Sequence, residues 1–133
     1  MKYVLDASVA VAAARPREPS YQASLARVSR MFAGIDEIVV PTIFRIEVAS
    51  ALSRIGIDTV LVDAHVEHLL RAATIVVIGS VRSKQVQRLA MTAKLRAADA
   101  IYVWLSGSQG IPLVTLDSEV LRRGSSFCQV ETP

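Results

Sequence analysis

Four acidic residues of this sequence lie in or directly beside apolar runs, where a lone carboxylate is costly to place. They are Asp6, Glu47, Asp99 and Asp117. Burying an unpaired carboxylate either costs free energy or forces it to take up a proton, so buried acids are normally paired or bound to a metal. These acids are therefore the first candidates for chemistry.

Acids that gather at one point repel each other, and the usual remedies are a raised pKa or a divalent cation. A site built only from oxygen ligands favours Mg²⁺ or Mn²⁺. A hydrated metal in an acidic cleft lowers the pKa of an attacking water and neutralises charge that develops on a phosphate, and two metals would clamp both reacting oxygens. If the four acids meet, they predict a site for phosphodiester hydrolysis with one or two metals.

The elements that must position these acids alternate along the chain. Continuous apolar runs predict short strands at residues 3–5, 38–40, 74–78, 113–115 and 127–130. Helical spacing and stop signals predict helices at residues 8–14, 21–33, 42–55, 58–73, 83–95, 97–105 and 118–123. This alternation indicates an α/β three-layer sandwich, in which helices flank a central parallel sheet of about five short strands. We expect a single domain over residues 1–133.

This fold would bring the four acids together at one edge of the sheet. Ligand sites in an open parallel sheet form beyond the carboxyl ends of the strands, where the strand order reverses. Asp6 and Asp117 follow such ends, and each precedes a helix whose N-terminus helps to stabilise negative charge. Glu47 and Asp99 lie on predicted helices and share their faces with apolar neighbours, so both should point inward or to the rim of a cleft.

Bulk composition narrows the function classes. The chain carries a net charge of +3, which favours polyanionic partners. It is 52% hydrophobic but only 5% aromatic, and its single cysteine, Cys128, suits a reducing compartment. Asp6 interrupts the only stretch that resembles a signal peptide, and no apolar run has the length of a membrane span. We therefore expect a soluble, cytoplasmic protein with no membrane partner.

Four segments around the acids carry a family resemblance. They are Val4-Leu5-Asp6-Ala7-Ser8-Val9, Phe44-Arg45-Ile46-Glu47-Val48-Ala49-Ser50-Ala51-Leu52, Leu95-Arg96-Ala97-Ala98-Asp99-Ala100-Ile101-Tyr102 and Val114-Thr115-Leu116-Asp117. In this order they resemble the PIN-domain nucleases, and chain length and local sequence are most similar to the VapC-type toxins of toxin-antitoxin pairs. The likeness runs from Lys2 nearly to the C-terminus.

The resemblance implies an Mg²⁺- or Mn²⁺-dependent endoribonuclease that acts on RNA, forms a homodimer and has a cognate antitoxin. Carried over by position, Asp6 and Asp99 are the principal metal ligands, and Glu47 and Asp117 complete the set directly or through water. Glu47 is also a candidate to orient or deprotonate the attacking water. Ser8 and Thr115 match small hydroxyl positions that hold the acids.

Simpler interpretations exist for each acid alone. Asp6 and Asp117 suit helix caps, and Arg96 is spaced to form a salt bridge with Asp99. The remaining acids considered are predicted to be solvated charges or caps: Asp36, Glu37, Asp58, Asp63, Glu67 and Glu119. His65 and His68 form either half a metal site or part of an amphipathic outer helix.

Candidate RNA contacts are less specific. Residues 82–96 contain five basic residues and no acid, from which Arg82, Lys84, Arg88 and Arg96 are the predicted phosphate contacts. A solvated helix face explains them equally well, and Arg15, Arg17, Arg27 and Arg30 are comparable candidates nearer Asp6. Tyr102 lies on the Asp99 side of its predicted helix and is a candidate to line the cleft.

Two other function classes compete. An aspartate-based phosphatase or phospho-receiver also places an acid after the first strand, but the phosphatase pattern needs a second Asp where this chain has Ser8. A receiver needs an acid that ends a central strand, whereas Gly79 follows Ile78 here. The third class is a catalytically silent RNA-binding or scaffolding module on the PIN fold, and the intact set of four acids argues against it.

Overall fold

Five short strands form one parallel sheet in the computed structural model, which describes residues 1–133. The strands are β1 (Lys2–Leu5), β2 (Glu37–Pro41), β3 (Ala73–Val76), β4 (Leu113–Val114) and β5 (Val130–Glu131). They lie in the order β3-β2-β1-β4-β5, and every neighbouring pair is parallel. The predicted α/β fold with a central parallel sheet is confirmed, while the single domain over residues 1–133 stays a prediction.

Seven helices connect and cover the strands. They are α1 (Ala7–Ala12), α2 (Tyr21–Phe32), α3 (Ile43–Arg54), α4 (Thr59–Arg71), α5 (Ser80–Ala93), α6 (Ala97–Gln109) and α7 (Ser118–Arg123). Helix α6 packs on β1, β2 and β4, α4 packs on β3, and α1 packs on α2 and α3. None of the seven combines the length and the apolar content that crossing a membrane requires.

The centre of the sheet explains where a site can form. Tyr3, Val4 and Leu5 of β1 are at most 1% exposed, and Leu113 and Val114 of β4 are fully buried. The chain builds outward from β1 to β2 and β3, then returns to the other side of β1 with β4. The strand order therefore reverses between β1 and β4, and the carboxyl ends of these two strands form the switch point at which such sheets bind ligands.

The element ends differ from the predicted ones by three or more residues in three places. The last strand was predicted at 127–130 but is Val130–Glu131, because the N–H groups of Phe127 and Cys128 bond to the Gly124 carbonyl in a turn. Helix α5 begins at Ser80 rather than at residue 83, and α6 continues to Gln109 rather than ending at 105. Helix α6 stops where Gly110 takes a φ of 64°, which glycine adopts at little cost.

Candidate functional site

A cavity of about 380 Å³ opens at the switch point, and all four predicted acids line it. We call it the acid cavity. Its lining consists of Asp6, Ala7, Ser8, Val11, Glu47, Ala51, Arg96, Ala98, Asp99 and Asp117. Residues that follow β1 and β4 therefore converge with residues of α1, α3 and α6, although they are far apart in sequence.

Asp6 follows β1 and occupies the N-cap position of α1, yet its side chain makes no capping hydrogen bond. It is 7% exposed. Its Oδ2 instead accepts hydrogen bonds from Ser8 Oγ at 2.8 Å and from Thr115 Oγ1 at 2.5 Å. The helix-cap interpretation is therefore wrong for Asp6, because its side chain makes no capping hydrogen bond and two hydroxyl groups hold its carboxylate.

The direction of these two hydroxyl bonds follows from their other partners. Ser8 Oγ accepts the Leu116 N–H at 3.1 Å, and Thr115 Oγ1 accepts the Asp117 N–H at 3.0 Å. Each hydroxyl has a single hydrogen to donate, and both hydrogens point at Asp6 Oδ2. The arrangement needs an acceptor at that oxygen, and the Asp6 carboxyl oxygen supplies it.

Glu47 reaches the acid cavity from α3 and is half-buried. Its Oε2 accepts a hydrogen bond from the Tyr102 hydroxyl at 2.8 Å. Tyr102 is 1% exposed and is not part of the cavity lining, so it affects the site through Glu47 rather than by lining the cleft. No short-range pattern in the sequence links these two residues, which are 55 positions apart.

Arg96 connects the remaining two acids. Its Nε donates to Asp99 Oδ2 at 3.0 Å, and its Nη2 donates to Asp117 Oδ2 at 2.9 Å. The predicted Arg96–Asp99 salt bridge is thus present. Asp117 also caps α7, because its Oδ1 accepts the N–H groups of Glu119 and Val120. The cap interpretation of Asp117 is therefore confirmed, and its second carboxylate oxygen still faces the acid cavity.

Burial raises the pKa of three of these acids. For Asp6 the cause is desolvation and, to a smaller degree, the charge of Asp117, while the hydrogen bonds from Thr115 and Ser8 oppose it. Desolvation and the charges of Asp6 and Asp99 raise the pKa of Glu47, against the Tyr102 hydrogen bond. Desolvation likewise raises the pKa of Asp99 in spite of Arg96. The site concentrates negative charge that the protein compensates incompletely.

The donor set fits a hard divalent cation in its chemistry. All four candidate ligands are carboxylates around one opening, as Mg²⁺ or Mn²⁺ prefers. In the present side-chain arrangement, however, no group of three or more His, Cys, Asp or Glu residues is placed to hold a metal ion. Arg96 is the cation that bridges Asp99 and Asp117, so a metal would have to replace it at those two acids.

Asp36 is the clearest error of the sequence prediction, which treated it as a solvated charge or a cap. It is 5% exposed and accepts hydrogen bonds from Arg30 Nε at 2.7 Å and Nη2 at 3.0 Å. The Arg30 guanidinium lowers the pKa of Asp36 to about 2. The sequence signal was Arg30 in the last turn of α2, six residues earlier.

The other secondary acids mostly match their prediction. Asp58 caps α4 by accepting the Val60 N–H at 2.9 Å. The others form ion pairs near the surface: Glu37 with Lys2, Glu67 with Arg45, and Glu119 with Arg122 and Arg123. Asp63 is exposed.

The two histidines do not complete a metal site. His65 Nε2 lies 3.3 Å from the Ala10 carbonyl oxygen, and burial lowers the pKa of His65. The His68 ring stacks on Phe32 with 4.1 Å between ring centroids. These contacts, and the absence of a third His, Cys, Asp or Glu in suitable geometry, favour the interpretation of α4 as an amphipathic outer helix.

The predicted RNA contacts divide into two groups. Arg96 lines the acid cavity. Arg82, Lys84 and Arg88 are exposed on α5, and none of the three lines the cavity. Their role in RNA binding stays a prediction.

Comparison with known proteins places this geometry among relatives. The family model described as the PIN domain matches residues 3–125. No curated protein matches the chain in sequence.

Several solved structures share the fold. PAE2754 from Pyrobaculum aerophilum has a TM-score of 0.72 at 22% identity, over 98% of this chain and 83% of that chain. VapBC2 from Rickettsia felis, solved bound to a DNA fragment from its own promoter, has a TM-score of 0.72 at 16% identity, over 99% of this chain and 98% of that one. FitAcB from Neisseria gonorrhoeae has a TM-score of 0.67 at 15% identity, over 98% and 96% of the two chains.

Proposed function

This chain belongs to the PIN-domain family, and on that premise we propose that it is a metal-dependent endoribonuclease that acts as the toxin of a toxin-antitoxin pair. The observation that carries the nuclease proposal is the acid cavity. Four carboxylates surround one opening at the switch point of a parallel sheet, and burial raises the pKa of three of them. Such a cluster is costly unless a cation joins it.

The residues that would hold Mg²⁺ or Mn²⁺ are Asp6 and Asp99, with Asp117 and Glu47 directly or through water. Bound there, the cation would supply a water of lowered pKa and neutralise charge on the phosphate. The hydroxyls of Ser8 and Thr115 fix Asp6 Oδ2 and thereby orient the carboxylate toward the opening.

Glu47 is suited to accept a proton from the attacking water. Tyr102 fixes its Oε2 and leaves Oε1 without a protein donor. Burial raises the pKa of Glu47, which makes its carboxylate a stronger base. Tyr102 is thus a positioning residue, since its hydroxyl acts on the reaction only through Glu47.

The toxin proposal rests on the relatives. VapBC2 was solved with promoter DNA, and a FitAB structure that covers 100% of this chain at 15% identity and a TM-score of 0.67 was solved with the IR36 DNA fragment. We infer for this chain a cognate antitoxin partner and a homodimeric state, as the sequence resemblance also implies. A small neighbouring gene for a DNA-binding protein would support the pairing.

The decisive experiment incubates the purified protein with total RNA, with and without Mg²⁺ or Mn²⁺, and sequences the fragment ends. We expect metal-dependent cleavage that Asp6→Asn and Asp99→Asn abolish, while Asp63→Asn, which removes an exposed acid on α4, cleaves normally. Circular dichroism establishes that each variant is folded. Cleavage by folded Asp6→Asn and Asp99→Asn at the unsubstituted rate would refute the proposal.

One observation favours the catalytically silent module as a second candidate. Arg96 already pairs with both Asp99 and Asp117, so one positive charge compensates part of the charge of these two acids without metal. Retained Mn²⁺ binding by calorimetry, without cleavage across a broad panel of RNAs, would support this candidate over the nuclease.

A further inference from the structure

A second cavity of about 300 Å³ adjoins the acid cavity and shares Arg96 and Asp99 with it. We call it the Lys94 cavity. Its other lining residues are Lys94, Leu95, Glu119 and Arg123. Both of its acids are already engaged, Asp99 by Arg96 and Glu119 by Arg122 and Arg123. The cavity therefore offers positive charge immediately beside the proposed catalytic acids.

Lys94 has an unusual backbone for its residue type. It follows the last residue of α5 with a φ of 57° and a ψ of 38°, and it is the only residue other than glycine with a positive φ. Glycine is the common residue at this position of a helix end, because a Cβ makes the left-handed conformation costly. A strained residue that persists beside a cleft points to a use for its side chain.

The Lys94 side chain has no acidic partner. The side chain is exposed and takes part in none of the ion pairs of the structure. The backbone of Lys94, in contrast, is held by two hydrogen bonds. Arg123 Nη1 donates to the Lys94 carbonyl at 2.9 Å, and the Lys94 N–H bonds to the Ala90 carbonyl. The backbone of Lys94 is thus fixed beside the cavity that it lines, and the charge of its ammonium is not engaged by an acid.

The two arginines also retain unused donors. Arg96 uses Nε and Nη2 for Asp99 and Asp117, which leaves Nη1 without a protein acceptor. Arg123 uses Nε for Glu119 and Nη1 for the Lys94 carbonyl, which leaves Nη2. Guanidinium and ammonium donors around one cavity match the oxygens of a phosphate group.

We propose that the Lys94 cavity binds a backbone phosphate of the RNA strand next to the phosphate that lies in the acid cavity. The proposal rests on the proposed function, because the strand reaches this cavity from the acid cavity. Lys94 and Arg123 supply the contact with Arg96, and the contact fixes the register of the strand without reading its bases. This assigns RNA binding to the end of α5 and to α7 rather than to the outer face of α5.

The test measures RNA binding without cleavage. Fluorescein-labelled oligouridine and oligoadenosine 12-mers are titrated by anisotropy against the full chain in EDTA, at several salt concentrations. Lys94→Gln should weaken binding of both RNAs about fivefold and reduce the slope of log K against log salt by about 0.7. Arg123→Gln should act in the same direction.

Lys2→Gln is the matched control. This substitution removes the same charge from an exposed lysine at the amino end of β1, whereas both cavities lie beyond the carboxyl ends of the strands. The Lys2→Gln protein should bind both RNAs normally. Equal affinities of Lys94→Gln and Lys2→Gln would overturn the proposal, as would failure of the unsubstituted protein to bind either RNA. If Lys94 is required for binding but no RNA is cleaved with metal present, the nuclease proposal fails and the phosphate site stands.

Discussion

Thr115 Oγ1 donates a hydrogen bond to Asp6 Oδ2 at 2.5 Å, although the two residues lie 109 positions apart. Thr115 is fully buried, and the same hydroxyl accepts the Asp117 N–H at 3.0 Å. One side chain therefore joins the carboxyl ends of β1 and β4 and orients acids from both.

Thr115→Val tests this link. Valine has nearly the same shape but leaves the Asp117 N–H without its acceptor and Asp6 without one of two donors. We expect the free energy of unfolding to fall by about 1 to 3 kcal/mol, as for other buried polar groups that lose a partner. Mn²⁺ affinity should fall by about tenfold or more, as is typical when a residue that orients a metal ligand is removed. Urea denaturation and calorimetry measure the two effects.

Thr115→Ser is the matched control because it keeps the hydroxyl and loses only a methyl group. It should retain most of the Mn²⁺ affinity. If valine and serine give the same Mn²⁺ affinity, the hydroxyl does not orient Asp6.

What could be predicted from the sequence depends on how far apart along the chain the interacting residues lie. The strands β1, β2 and β4 were predictable because apolar runs such as Tyr3-Val4-Leu5 are local signals of a doubly covered sheet. The expectation that Asp6 and Asp117 meet followed from the same pattern, since parallel strands end at a common edge. The choice between cap and site was not predictable, because it depends on where one carboxylate oxygen points.

Pairings between distant residues were beyond the sequence. The Tyr102 hydroxyl reaches Glu47 across 55 positions, and only the tertiary fold brings these two side chains of α6 and α3 together. The ends of α5 and of the last strand also escaped prediction. The turn that delays β5 depends on bonds to the Gly124 carbonyl that no periodic pattern encodes.

Asp6→Asn should stabilise the metal-free protein at neutral pH. The pKa of Asp6 is raised in the folded state, so the folded state binds its proton more tightly than the unfolded state does. The stability from this group is complete below the unfolded pKa of about 3.9 and falls as the pH rises through the folded pKa. Asparagine keeps a carbonyl oxygen for Ser8 and Thr115 without the desolvated charge.

Thermal unfolding in EDTA between pH 3 and pH 8 checks this expectation. The melting temperature of Asp6→Asn should equal that of the unsubstituted protein near pH 3 and exceed it increasingly above pH 4, while added Mn²⁺ should no longer raise it. Asp63→Asn, at an exposed position of α4, should follow the unsubstituted protein. A melting temperature of Asp6→Asn that is lower at every pH would contradict the argument.

Asp36 should have the opposite pH dependence. Its folded pKa is lowered to about 2, so its contribution is present above the unfolded pKa of about 3.9 and is lost as the pH falls toward 2. Asp36→Asn removes the charge that Arg30 pairs with and should lower the free energy of unfolding at pH 7 by about 1 to 3 kcal/mol. Urea denaturation at pH 7 and near pH 2 should show this difference shrinking at the lower pH.

The exposed neighbour Glu37 provides the control. Glu37→Gln should change the free energy of unfolding little, and an equal effect of both substitutions would refute a special role for Asp36.

Arg96→Gln should strengthen metal binding. The Arg96 guanidinium competes with a metal for Asp99 and Asp117, but its side chain is 73% exposed, so solvent screens much of its charge. We therefore expect a modest gain in Mn²⁺ affinity of about threefold to tenfold by calorimetry. Arg96→Lys, which keeps the positive charge, should show a smaller gain. Weaker Mn²⁺ binding by Arg96→Gln would mean that Arg96 positions the acids for the metal instead of competing with it.

Lys94→Gly should separate stability from RNA binding. Glycine removes the strain of the positive φ at Lys94, which outweighs its extra freedom in the unfolded chain, so the free energy of unfolding should rise by about 0.5 to 1 kcal/mol. The bond from Arg123 ends on the backbone carbonyl and is preserved. RNA affinity in EDTA should nevertheless fall as in Lys94→Gln, because the ammonium is gone.

The control is Gln87→Gly, at an exposed position inside α5. It should lower the free energy of unfolding by about 1 kcal/mol and leave RNA affinity unchanged. A Lys94→Gly protein that is more stable and binds RNA normally would show that the strained lysine serves no RNA contact.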